Sequence, residues 1–133
     1  MIPSQKMKKP IFTNKAPAAI GPYSQAVQWG DVVYISGQIP LNPESGQLNN
    51  VTFEDEANQV LDNLEAICQE AGSTLDNILK LTIYLTDLSK FDKVNSIMAS
   101  RFSEPFPARA TLEISKLPKD VSIEMDAILS ITI

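Results

Sequence analysis

The chain has 133 residues, 44% hydrophobic and 20% charged, with a formal net charge of −5; this suits one globular domain with a real core and makes nucleic acid a poor partner, since the mean field repels phosphates. With no His and one Cys, the sequence offers no Ser-His or Cys-His nucleophile pair, no intrachain disulfide and no Cys-rich metal site. No apolar run reaches bilayer length, and the basic start MIPSQKMKKPIF lacks the apolar segment of a secretory signal, so a cytoplasmic location is expected.

Residues 1–9 are polar and are expected to be loose, ahead of a single domain over 10–133. Apolar stretches at 24–28 and 32–35 flank the turn signal Trp29-Gly30-Asp31 and predict a β-hairpin. The Pro, Asn, Ser and Gly residues of 40–46 make a loop, with a short strand near 47–49. Thr52 followed by Asp55 has capping-box spacing. Ala57, Val60, Leu61, Leu64, Ile67, Cys68 and Ala71 then recur at helical spacing, and Gly72 ends the helix. Cys68 falls on that apolar stripe, so a core thiol is expected.

A strand over 78–85 is predicted, with Leu79, Leu81, Ile83 and Leu85 on one face. Ser89 and Asp92 read as a second capping box, opening a helix striped by Phe91, Val94, Met98 and Phe102 and ended by Pro105 and Pro107. Two strands close the chain. In 108–114 the apolar face is Ala108, Ala110, Leu112 and Ile114; in 121–133 it is Val121, Ile123, Met125, Ala127, Leu129 and Ile131. The short link 115–120 suits a hairpin between them. The expected fold is α+β, two layers, a mixed β-sheet with both helices on one face. Its other face, left without helices, suggests oligomerisation.

The last hairpin carries the candidate chemistry. Matching its apolar faces pairs Leu112 with Ile123, placing Arg109 diagonal to Glu124 at roughly 7–8 Å; a register shifted by two residues makes them direct partners. Either way the pattern puts a guanidinium and a carboxylate on the same non-core face. Arg binds a small carboxylate bidentately, and Glu can deprotonate a water. A plain cross-strand ion pair is the structural alternative. Tyr23, at the turn after Gly21-Pro22, and Asn95, off the helical core stripe, read equally as packing and surface residues. Ser36-Gly37, at a strand end, marks a bulge or a close backbone approach.

The strings APAAIGPYSQAV (16–27), VYISGQIPLNP (33–43), NLEAICQEAG (63–72), FDKVN (91–95), PAR (107–109) and LPKDVSIEMDA (117–127) together resemble the RidA (reactive intermediate deaminase) family over nearly the whole chain. The resemblance implies a bacterial chorismate mutase-like fold, a homotrimer with sites between subunits, and no cofactor or metal. It implies hydrolysis of 2-imino acids and enamines, such as 2-aminoacrylate and 2-iminobutanoate, to 2-keto acids and ammonia. These are products of pyridoxal-phosphate-dependent Ser/Thr dehydratases, and their removal protects pyridoxal-phosphate enzymes. By motif, Arg109 would clamp the substrate carboxylate and Glu124 would position the water. Tyr23, Ser36 and Gly37 would line the pocket, Thr111 would lie at its base, and Asn95 would support it from the second helix. Ala110, Thr111 and Met98 depart from residues often found in the family, which bears on pocket size. The rival readings are a ligand-binding regulatory module, a ribonuclease acting as a translation inhibitor, and a chaperone-like role.

Overall fold

The computed structural model describes residues 7–131. Six strands form one sheet: β1 (Lys9–Ile11), β2 (Ala26–Trp29), β3 (Val32–Gln38), β4 (Ile78–Leu85), β5 (Ala108–Glu113) and β6 (Ile123–Ser130). Their order across the sheet is β1-β2-β3-β6-β4-β5. Two helices, α1 (Phe53–Glu70) and α2 (Phe91–Arg101), complete the α+β fold. Of the expected loose segment 1–9, residues 1–6 lie outside the described residues, and Lys9 already pairs with Gln28 in β1. The expected strand near 47–49 reduces to a single bridge between Leu41 and Leu48.

Helix α1 starts where its cap predicts: Thr52 Oγ1 accepts from the Asp55 N–H at 3.0 Å. Its apolar stripe, including Val60, Leu61, Leu64 and Ile67, is fully buried against the sheet. Gly72 has φ +81°, the left-handed conformation that glycine adopts without strain. The Ser89–Asp92 capping box does not form. A 3-10 turn, Leu88–Lys90, precedes α2, and Asp87 accepts from the Ser89 N–H instead. Asp87 lies two residues ahead of that N–H, so its short side chain closes the turn locally.

The strand alternation needs two corrections. In β4 the register shifts between Ile78 and Lys80, so Ile78 takes the core place expected of Leu79, which is 51% exposed. The second correction is larger. β5 does not form a hairpin with β6; it pairs in parallel with β4, Arg109 opposite Leu81 and Thr111 opposite Ile83. β6 instead runs between β3 and β4, antiparallel to both. The physical reason is the crossover: α2 carries the chain back over the sheet, so the strand after it runs parallel to the one before. Leu81 and Ile83 are core residues, so Arg109 and Thr111 point to the helix side. Ala110 and Leu112, the expected core face, point the other way, opposite Thr82 and Tyr84.

Candidate active site

Glu124 lies between the core residues Ile123 and Met125 and is paired with Tyr84, so it points to the face without helices. Arg109 points to the helix face. The two residues that the sequence pattern placed together are thus on opposite sides of the sheet, with β4 between their strands. Each sits in its own cavity.

The Glu124 cavity has a volume of about 330 Å³ and is lined by Tyr23, Ser36, Gly37 and Glu124, with Pro17, Ile20, Ile39, Leu41 and Pro118 among its apolar walls. Three buried polar side chains hold those walls. Gln25 donates to the carbonyls of Thr13 and Pro17 at 2.9 and 2.8 Å, which fixes the segment carrying Pro17. Asn63 of α1 donates to the carbonyls of Ile39 and Leu41 at 3.1 and 3.0 Å. Glu56, also on α1, accepts from the Ser122 N–H at 2.8 Å and so anchors the start of the strand that carries Glu124. Ser36 donates to the Ser24 carbonyl at 2.6 Å and stiffens the wall beside Gly37.

Burial, and then the nearby Asp126 carboxylate, push the Glu124 carboxyl above the usual range for Glu. Asp126 in turn accepts from the Tyr84 hydroxyl at 2.8 Å. That hydrogen bond to a carboxylate, with burial, pushes the phenol up to about 12. Tyr84 therefore stays protonated and keeps donating.

The Arg109 cavity is about 290 Å³ and is lined by Asn95, Met98, Ala99, Phe106, Pro107 and Arg109. Arg109 Nη1 donates to Asn95 Oδ1 at 2.7 Å and to the Met98 sulfur at 3.4 Å. The Phe91 ring lies 5.0 Å from the guanidinium carbon, a cation–π contact. Among the described residues no carboxylate pairs with this guanidinium, so its remaining N–H groups are available to an anion. Thr111 lies on the same face of β5, its Oγ1 buried without a hydrogen-bond partner.

Tyr23, Ser36, Gly37 and Glu124 therefore share one cavity, while Asn95 and Thr111 belong with Arg109. The sequence reading missed Phe91, assigned to the core stripe, and Asp126 as a neighbour that tunes Glu124. Both were within reach of periodicity: Phe91 is four residues before Asn95 on a helix, and Asp126 is two after Glu124 on a strand. Cys68 is buried, and burial pushes its thiol up to about 12, so it is inert.

Residues 13–131 match the family described as Endoribonuclease L-PSP. The mouse protein named 2-iminobutanoate/2-iminopropanoate deaminase is 46% identical over 125 residues, covering 94% of this chain and 93% of its own. The chain belongs to the RidA family. A RutC family protein of Pyrococcus abyssi is 46% identical over 121 residues, covering 91% of this chain and 95% of its own. The crystal structure of RidA from the Antarctic bacterium Psychrobacter sp. PAMC 21119 superposes with a TM-score of 0.89 at 46% identity, covering 92% of this chain and 99% of that one. The RidA-family likeness thus spans nearly the whole chain.

Proposed function

We propose that this chain hydrolyses short 2-imino acids, such as 2-iminobutanoate and 2-iminopropanoate, to 2-keto acids and ammonia, at sites built from two copies of the chain. The observation that carries this reading is the Arg109 guanidinium, held by Asn95 and Phe91 at the mouth of a cavity without an acidic partner. An Arg fork presented this way suits a small carboxylate. The names of the mouse and Escherichia coli relatives, at 46% and 45% identity, agree with it.

One copy supplies only half of the chemistry to each cavity. The face without helices exposes Trp29, Tyr34 and Leu112, each about half accessible, which favours its burial against further copies. In a homotrimer, Arg109 of one subunit opens towards Glu124 of the next. The Arg109 side then brings Asn95 and Thr111, and the Glu124 side brings Tyr23, Ser36 and Gly37.

The reaction needs no more than these groups. An enamine substrate first tautomerises to the imine. Arg109 holds its carboxylate. With the imine nitrogen already protonated from solvent, Glu124 takes a proton from water as the water oxygen bonds to the iminium carbon, and the C=N π pair becomes the lone pair of a neutral amine nitrogen. Glu124 then returns its proton to the amine nitrogen; a hydroxyl-oxygen lone pair closes the C=O bond as the C–N bond breaks and ammonia leaves, and the hydroxyl proton passes to Glu124 and on to solvent, leaving the 2-keto acid. A carboxyl held above its usual range serves in both directions. The protein's main contribution is positioning. Removal of such imines, released by pyridoxal-phosphate-dependent Ser/Thr dehydratases, would protect other pyridoxal-phosphate enzymes. The net charge of −5 weighs against an RNA substrate.

The test couples a threonine dehydratase to this protein and follows 2-ketobutanoate. The reading requires faster appearance than with dehydratase and buffer alone. No acceleration would leave a ligand-binding module as the better description.

A further inference from the structure

The Glu124 carboxylate lies against β3 where the strand bulges. Ile35 pairs with Ala127, but the next pair is Gln38 with Met125, so Ser36 and Gly37 on β3 oppose Asp126 alone on β6. A Cβ built on Gly37 would collide with Glu124 Oε2 and come within 2.9 Å of Cδ and 3.4 Å of Cγ. The carboxylate occupies the space a side chain would need. Gly30, Gly46 and Gly72 have positive φ, whereas Gly37 does not. The backbone at position 37 is therefore outside the left-handed region that favours glycine, and the atoms that crowd a side chain there belong to Glu124. Among the described residues Glu124 has neither an ion pair nor a side-chain hydrogen bond to hold it, and the Ser36 hydroxyl beside it is committed to the Ser24 carbonyl.

We propose that Gly37 is a positioning residue for Glu124: its missing side chain is the seat that holds the carboxylate inside the cavity. This deepens the deaminase reading and rests on it for its catalytic consequence. With the seat filled, the carboxylate swings outward. It becomes better hydrated and is no longer placed against the water it must deprotonate. The atoms in collision are the far end of a flexible side chain, so the fold survives the change while the geometry of the base does not.

The experiment is a double-mutant cycle of Gly37→Ala and Glu124→Asp, read by kcat, KM, the acid limb of the pH–rate profile and a ¹³C-detected titration of the residue-124 carboxyl. Gly37→Ala should lower kcat about 10- to 100-fold with little change in KM, as expected for a misplaced catalytic group, and move both the acid limb and the carboxyl titration to lower pH. Aspartate's carboxyl carbon replaces Glu Cγ, which a methyl at position 37 tolerates. Adding Gly37→Ala to Glu124→Asp should therefore cost less than about twofold, far from additive. Unchanged kcat and titration in Gly37→Ala, or equal losses in both backgrounds, would overturn the proposal. If Gly37→Ala does not fold, folding restored by Glu124→Asp supports the steric seat, and failure in both backgrounds overturns it. The titration reports on the seat even if the wild-type protein hydrolyses no imine, so failure of the deaminase reading is distinguishable from failure of this one.

Discussion

Arg109 and Glu124 face away from each other across one β-sheet, on strands separated by β4. The guanidinium leans on α2 through Asn95, Met98 and Phe91, while the carboxylate rests over the β3 bulge at Gly37. Neither finds an opposite charge on its own chain among the described residues. Leaving a half-buried charge unpaired costs stability. Two such charges, each at a cavity, fit a molecule completed by another copy and by an anionic ligand.

A site shared between copies, as proposed, gives a complementation test. Arg109→Ala and Glu124→Gln should each be nearly inactive alone. After unfolding and refolding as an equimolar mixture, random assembly into closed rings should return about one quarter of the sites to wild-type composition. Activity in the mixture should rise accordingly. Two inactive proteins giving an inactive mixture would indicate that each site is built within one chain.

The pH profile follows from the neighbours of Glu124. Its carboxyl is raised by burial first and by Asp126 second; the proposed mechanism requires the base form, so the rate should climb with pH through a value above that of an ordinary Glu. Asp126→Asn removes the repulsion, favours the carboxylate and should move the acid limb down. Burial remains, so the limb should stop short of the ordinary value. Stability has the corresponding sign: a raised carboxyl value penalises the folded state as pH rises through it, and Asp126→Asn relieves part of that penalty. The amide oxygen can still accept from Tyr84. Initial rates between about pH 4 and pH 8 would show the shift.

Phe91 and Asn95 set the direction of the Arg109 fork. Phe91→Leu keeps an apolar side chain but removes the cation–π contact, worth about 0.5–1 kcal/mol at an accessible site. A KM increase of about two- to fivefold with kcat largely kept is expected, because in the proposed mechanism the contact acts on carboxylate binding. Asn95→Ala should act in the same direction. Saturation kinetics with a stable imine precursor would separate the two parameters.

Stability should be sensitive at α1. Thr52→Ala removes the side-chain acceptor for the Asp55 N–H and should cost about 0.5–2 kcal/mol. Leu64→Ala, at a fully buried position, should cost about 2–5 kcal/mol. Denaturant unfolding at fixed protein concentration would measure both, since association would otherwise shift the midpoints.

Much of the architecture was legible from local pattern. Thr52 and the apolar stripe of α1 specify a helix because capping and periodicity are properties of a few consecutive residues. The alternation of Ile123, Met125, Ala127 and Leu129 likewise specifies β6 and leaves Glu124 and Asp126 together on its other face. Strand alternation singled out Arg109 and Glu124 as a candidate pair, and only the resemblance of PAR and VSIEMDA to the RidA family implied roles for them. Only the tertiary structure decided which strands pair. β5 had an open choice between β6 and the edge of β4, and the α2 crossover made the parallel partner the accessible one. That single choice turned Arg109 to the helix side, because shifting the partner reverses which alternate residues meet the core. Residue spacing along the chain carries the local periods, whereas strand partners and faces depend on contacts between segments far apart in sequence.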